Sequence, residues 1–501
     1  MSLGSRRLSS HLIQLIALIT FIWVLLLASL WTFHADTVRA VIPLDKFTAW
    51  PSYDPVDSAK EDRIQLLQVG DASPTRLALS SGRWQSNPAH QNLSLQWTDA
   101  SSRYNCWSES ELHPKGSGVR RSQDIDAWDW MKGDGEPLED WSVERFVIRG
   151  LQSRFGYFMV GDSLTDGIFV ALHRMLCEPN PTSHPLALER TYGHGPVRWK
   201  HATGPEVYYN NLTLNMAHSL GKALLERHDS AVDGKGEKED ELLGKIPRQR
   251  FFEPIVRFVR NSNLASEEEM EEILIEGLGI PLDWTIQLRT LAPWREYLAS
   301  YADYDGWDGE KAGIVLINTG PHWEPDRFKP STEAQMQLAY NLTMQKVYES
   351  LSALPSTLDL RILYRSTLPG HKDCEKKLYP VTKYDDAAVH PTGPFTGPYH
   401  WHWFPQYNDV ARELWGRGRW SVRSKSRSTI EDKWERRHLS QDSWGSGIVT
   451  DYWDVWNLAA TRPDAHVAWA NRFMDCLHWC SGGVYAWVAR AWWHTIVQEG
   501  L

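Results

Sequence analysis

The chain has 501 residues, 42% of them hydrophobic, and 53 basic against 63 acidic side chains give a formal net charge of −10. That balance excludes a protein that grips a nucleic-acid backbone by charge, which needs a basic surface. A mean hydropathy of −0.45 excludes a multi-pass membrane protein, and 27 Trp, more than either Phe or Tyr, mark a chain with a large aromatic surface to place.

The first element is a run of 22 residues without a charge, 12–33, the length a helix needs to cross the hydrocarbon layer. Arg6 and Arg7 precede it, so the positive-inside tendency leaves the tail 1–11 in the cytosol and the remainder in the lumen. The run reads as a single-pass type II anchor. A cleaved signal peptide is the alternative, with Thr32-Phe33-His34-Ala35 as a poor cleavage site. N-x-S/T sequons at Asn92, Asn211 and Asn341 agree with a glycosylated lumenal body. Five cysteines lie on that oxidising side, Cys106, Cys177, Cys374, Cys476 and Cys480, enough for two disulfides with one left over.

Residues 34–80 are polar, Pro-bearing and without a sustained period, which reads as a stem, and 81–150 form a Trp-rich, loop-like N-terminal subdomain. The pattern changes at Arg154. An apolar run at 155–160 stops at GDS and is followed by apolar residues at helical spacing, which predicts strand, tight turn, helix. The alternation returns with a strand at 312–317 before NTG, a helix over 332–354 and a strand at 360–364 before RSTLPGH. Strands and helices taking turns predict an α/β domain over 151–501 with a mostly parallel central sheet. Sites in such sheets lie at the carboxyl ends of the strands. Two charged stretches, 229–245 and 421–437, read as surface loops.

Three motifs sit where chemistry needs them. In Gly161-Asp162-Ser163-Leu164 a serine stands on a turn at a helix start, whose N–H groups and dipole stabilise an oxyanion; a simple helix cap is the plainer reading. In Asn318-Thr319-Gly320-Pro321-His322-Trp323 an Asn amide at a strand end is a neutral donor to the same oxyanion. In Asp475-Cys476-Leu477-His478-Trp479-Cys480 a carboxylate three residues before a His holds the imidazole in the tautomer that serves as base. The His400-Trp401-His402-Trp403 segment lacks a carboxylate pair at ligand spacing and reads as an aromatic, substrate-lining loop rather than a metal site.

The ordered set GDS, NTG-x-HW and D-C-x-H-W-C resembles the PC-esterase family, which holds the trichome birefringence-like polysaccharide O-acetyltransferases and belongs to the wider GDSL/SGNH-hydrolase fold. YRSTLPGH at 364–371 with Cys374, RPDAH at 462–466 and the Trp-bearing stretch from about Gly82 to Asp140 extend the likeness over roughly residues 80–495. Leu164-Thr165-Asp166-Gly167 departs from the polar segment that follows GDS in the plant enzymes, and no second-block glycine is placed.

The resemblance implies an SGNH-like fold and acyl transfer by double displacement. Ser163 would carry the acyl group, His478 would be its base, Asp475 would orient His478, and Asn318 with the Ser163 backbone N–H would hold the oxyanion. Asp162, His322, Trp323, His371, Trp401 and Trp403 are the expected substrate contacts, with His466 as a further cleft residue and indole faces, Trp479 included, available to stack on sugars. No bound cofactor or metal is expected. The cosubstrate would be an acetyl donor such as acetyl-CoA, and the acceptor a polysaccharide or glycan in the Golgi or secretory pathway. A carbohydrate acetylesterase is the alternative within enzymes, and a catalytically silent glycan-binding protein the alternative outside them.

Overall fold

The computed structural model describes residues 73–90, 124–177, 184–193, 206–280, 285–286, 294–299, 307, 309–325, 328–329, 331–354, 358–384, 399–416, 448–468 and 474–501. The apolar run 12–33, Asn92, Cys106 and the stretch 421–437 lie outside them. Among the described residues no helix is long and apolar enough to cross a membrane.

Thirteen strands are described: β1 Arg83–Ser86, β2 Trp128–Met131, β3 Tyr157–Gly161, β4 Leu186–Gly193, β5 Glu206–Leu214, β6 Pro254–Arg260, β7 Thr285–Ile286, β8 Gly313–Asn318, β9 Phe328–Lys329, β10 Leu360–Arg365, β11 Ile448–Trp453, β12 His466–Ala468 and β13 Met474–Trp479. Seven of them form the central sheet, in the order β11-β10-β8-β3-β6-β5-β4. From β11 to β6 every pairing is parallel, whereas β5 runs antiparallel to both β6 and β4. Counted along the chain, the five parallel strands stand in the order 2-1-3-4-5, a doubly wound arrangement that reverses direction between β3 and β8. In doubly wound sheets the carboxyl ends of the strands at such a reversal are where ligands bind.

β3, β8 and β10 are buried at every position, as strands covered on both faces must be, and this is why each reads in sequence as a continuous apolar run. The main covering helices are α1 Pro74–Ser80, α2 Val143–Leu151, α3 Ser163–Met175, α4 Ser219–Val232, α5 Glu333–Ser352, α6 Phe404–Trp415 and α7 Ala486–Gln498. α3 begins where Asp162 accepts the Leu164 N–H at 2.9 Å, satisfying one donor of the first turn. α5 begins with a reciprocal capping box between Thr332 and Gln335. α7 packs on α3, where Gly167 makes room for Tyr485: a Cβ there would lie 2.1 Å from that ring.

The described parts of the expected stem and Trp-rich subdomain fold into this same core. Arg76 of α1 pairs with Asp451 of β11 and Glu499 after α7, and Leu79, Ile125, Trp130 and Phe146 belong to the central apolar cluster. The charged stretch 229–245 is helical over much of its length, ending α4 and adding a turn at Glu241–Gly244, with Asp240 bound to Arg227. Among the described residues ten tryptophans are buried in the core, where each large side chain contributes on the order of 2–3 kcal/mol.

Candidate active site

β3 ends at Gly161 directly beside Asn318, the last residue of β8. A Cβ on Gly161 would lie 2.3 Å from Thr165 Oγ1 and 2.7 Å from the Asn318 carbonyl oxygen, so only glycine lets both strand ends and the helix start approach this closely. Ser163 follows as the first residue of α3, partly exposed at the carboxyl edge of the sheet.

The Ser163 hydroxyl lies 2.7 Å from His478 Nε2, and His478 Nδ1 lies 2.7 Å from Asp475 Oδ2. Asp475 Oδ1 accepts the backbone N–H groups of Leu477 at 3.1 Å and His478 at 3.2 Å, which fixes the carboxylate. A carboxylate facing Nδ1 places the proton there, leaving Nε2 to accept the serine hydroxyl. The structure thus brings together Ser163, His478 and Asp475 from positions up to 315 apart in sequence.

In a regular strand, residues three apart point to opposite faces. β13 escapes this rule because His466 pairs with Trp479 whereas the next residue, Val467, pairs with Asp475, so residues 476–478 bulge out and Asp475 and His478 face one another. Cys476, the first residue of the bulge, is disulfide-bonded to Cys374, and the His371 N–H donates to the Cys476 carbonyl at 2.9 Å. The base-bearing bulge is therefore fastened to the segment that leaves β10.

His371 and His466 support this bulge from inside instead of lining a cleft. His466 Nδ1 meets the His478 carbonyl at 3.0 Å, His466 Nε2 meets His371 Nδ1 at 2.7 Å, and His371 Nε2 meets the Ala460 carbonyl at 2.8 Å. Each neutral ring has one N–H, so two donors serve three contacts. Burial pushes His371 down to about 4. The Trp479 ring stacks on His466 with centroids 4.7 Å apart.

Asn318 corrects an expectation. Its side chain is wholly buried, its Nδ2 donates to the Arg365 carbonyl at 2.8 Å and to Thr367 Oγ1 at 3.0 Å, and its Oδ1 accepts from the Arg365 guanidinium at 2.7 Å. Both amide hydrogens are spent joining the ends of β8 and β10, so the amide is not presented to an oxyanion at Ser163. Burial lowers Arg365 to about 10 and raises Asp162, whose carboxylate it faces electrostatically. Asp162, with no exposed surface, caps α3 and is not placed to touch substrate.

The expected Trp contacts are also corrected. Trp323 is 1% exposed, donates to Thr319 Oγ1 at 3.1 Å and stacks on Phe328. Trp401 and Trp403 are buried, the first against Gly370 and the second stacked on His400. Trp479 is buried too. An indole closed in by the core offers no face to a sugar. His322 is only partly buried and lies edge-on to Tyr399.

Asn211 and Asn341 lie inside β5 and α5 with their side-chain oxygens buried, not on the surface loops their sequons predict. Sequence reasoning also passed over Asn263. This residue follows β6, whose end is tied to β3 by the Asn261 N–H to Gly161 carbonyl bond of 3.0 Å, and it is fully buried with neither amide atom hydrogen-bonded to the protein. No motif marks it. A buried amide left without partners is costly unless a bound molecule satisfies it. No protein-family model matches the chain, and no curated protein matches its sequence.

Proposed function

We propose that the protein is a serine-dependent acyltransferase of SGNH-like fold and PC-esterase type, which moves an acetyl group onto a carbohydrate hydroxyl. The observation that carries this reading is the hydrogen-bonded series Ser163–His478–Asp475 at the carboxyl ends of the strands, beside the point where the sheet reverses. Ser163 Oγ attacks the donor carbonyl while His478 Nε2 takes its proton, and Asp475 steadies the imidazolium that forms. The protonated His478 then gives its proton to the leaving group. In the second half His478 takes the proton of a sugar hydroxyl, which attacks the acyl-serine, and returns that proton to Ser163 Oγ as the acyl bond breaks.

The negative oxygen of each tetrahedral intermediate would be met by the Ser163 backbone N–H at the start of α3, aided by the helix dipole. With the Asn318 amide engaged elsewhere, the Ser163 N–H is the one donor we assign. The Cys374–Cys476 disulfide fits an oxidising compartment, and with the run at 12–33 it favours a membrane-anchored enzyme of the Golgi or secretory pathway whose catalytic body is lumenal, with a glycan acceptor and an acetyl donor as cosubstrate.

The test incubates the purified protein with acetyl-labelled donors and a panel of polysaccharides. Label on sugar supports the transferase, and release of free acetate at the same rate with and without glycan would make it an esterase. Neither product, from folded protein across the panel, would leave the silent glycan-binding reading in its place.

A further inference from the structure

The far end of α3 carries a second cluster that the acyl chemistry does not use. His173 occupies the last turn of the helix, Cys177 follows four residues later on the same side, and His184 comes in just before β4. One ligand atom from each lies within 4.8 Å of the other two. Cys177 Sγ is 2.8 Å from His184 Nδ1 and 3.2 Å from the His173 carbonyl oxygen, and the two imidazoles face one another with centroids 5.4 Å apart. Cys177 is 5% exposed and in no disulfide. The His173 Nε2 atom is buried with no hydrogen-bond partner.

Hydrogen bonding accounts for Cys177, whose thiol donates to the His173 carbonyl and accepts from His184 Nδ1–H, but it does not engage the buried His173 Nε2. A metal ion does. Two imidazoles and one thiolate form a borderline-soft donor set suited to Zn²⁺, with the fourth tetrahedral position left to water. We propose that His173, Cys177 and His184 form a zinc site that clamps the end of α3 to the start of β4.

The site lies ten residues beyond Ser163 along the same helix, about 15 Å away by the helical rise. The metal therefore takes no part in the acyl step and acts on stability. Binding converts the Cys177 thiol to thiolate and releases its proton. This proposal does not rest on the acyltransferase reading.

The experiment titrates the purified, chelator-treated full chain with Co²⁺ and then displaces it with Zn²⁺. We expect one equivalent of Co²⁺, a thiolate-to-cobalt charge-transfer band in the near ultraviolet, and its loss on adding Zn²⁺. Cys177→Ser should abolish the band, and His173→Ala should weaken Co²⁺ binding by more than about tenfold, since even losing an outer-shell partner of a ligand costs about that much. Circular dichroism and probe labelling of Ser163 in the same samples separate lost metal binding from lost folding. The absence of a band in the folded wild type, an unchanged band in Cys177→Ser, or Cys177 recovered in a disulfide by peptide mapping would each overturn the proposal.

Discussion

Cys374 and Cys476, 102 residues apart in sequence, are joined by a disulfide that lies one residue from Asp475 and two from His478. The bond closes a long loop and also anchors the bulge that delivers the base to Ser163, so fold and site share one crosslink. The double variant Cys374→Ala/Cys476→Ala should lose about 2–4 kcal/mol of stability, read by urea unfolding without reductant. It should also lose most serine reactivity at temperatures where it is still folded. Full reactivity in the folded double variant would separate the disulfide from the geometry of the site.

Asn318 and Asn263 give opposite expectations. Asn318→Ala removes three buried hydrogen bonds at the junction of β8 and β10, leaving the Arg365 guanidinium short of an acceptor; the loss should be about 2–4 kcal/mol in unfolding free energy. Asn263→Ala removes a wholly buried amide with no protein partner, so the melting temperature should hold or rise while kcat stays within about twofold. A stable, inactive Asn318→Ala would return the oxyanion role to Asn318.

How much of this was legible in sequence follows from where each signal resides. β3, β8 and β10 were readable because strands buried on both faces are unbroken apolar runs that end abruptly in GDS, NTG and RSTLPGH. β6 was not, since Arg257 interrupts its run; that side chain is buried and donates to the Phe155 carbonyl, a partner 102 positions away. Ser163, Asp475 and His478 were found because helix start and D-x-x-H spacing are local features. The direction of the Asn318 amide was hidden because Arg365 and Thr367 decide it, 47 and 49 residues downstream. A Trp beside a motif carries no mark of which way its ring turns.

Trp323 shows the consequence. It sits beside the NTG motif yet is held in the core by Thr319, Phe328 and an edge contact with Tyr340. Trp323→Ala should cost about 3–5 kcal/mol through the cavity it leaves, seen as a lowered unfolding midpoint. KM for a glycan acceptor should stay within about twofold in the fraction that folds, since loss of one exposed stacking contact, ~1 kcal/mol, would shift it more. A selective rise in KM with unchanged stability would restore Trp323 to the substrate surface.

His371 makes stability depend on pH. Burial lowers it from the ordinary 6.5 to about 4, so between these values the unfolded chain binds a proton that the folded chain does not. Stability therefore rises with pH across that window and is lost on acidification, by up to about 3 kcal/mol for this group. Urea midpoints measured from pH 7 down to about pH 4 should fall more steeply in the wild type than in His371→Asn. Equal slopes would mean that His371 is already protonated in the folded protein, with the extra proton serving the third contact of the His371–His466 pair.

The central claim is that Ser163 is a nucleophile activated by His478, and covalent labelling with a fluorophosphonate followed by peptide mapping tests it most directly. Wild-type protein should carry the label on Ser163 alone. Ser163→Ala should take none, and His478→Ala should label at least about 10³-fold more slowly with its unfolding midpoint preserved. Label elsewhere in the chain, or equal rates for the wild type and His478→Ala, would contradict the account.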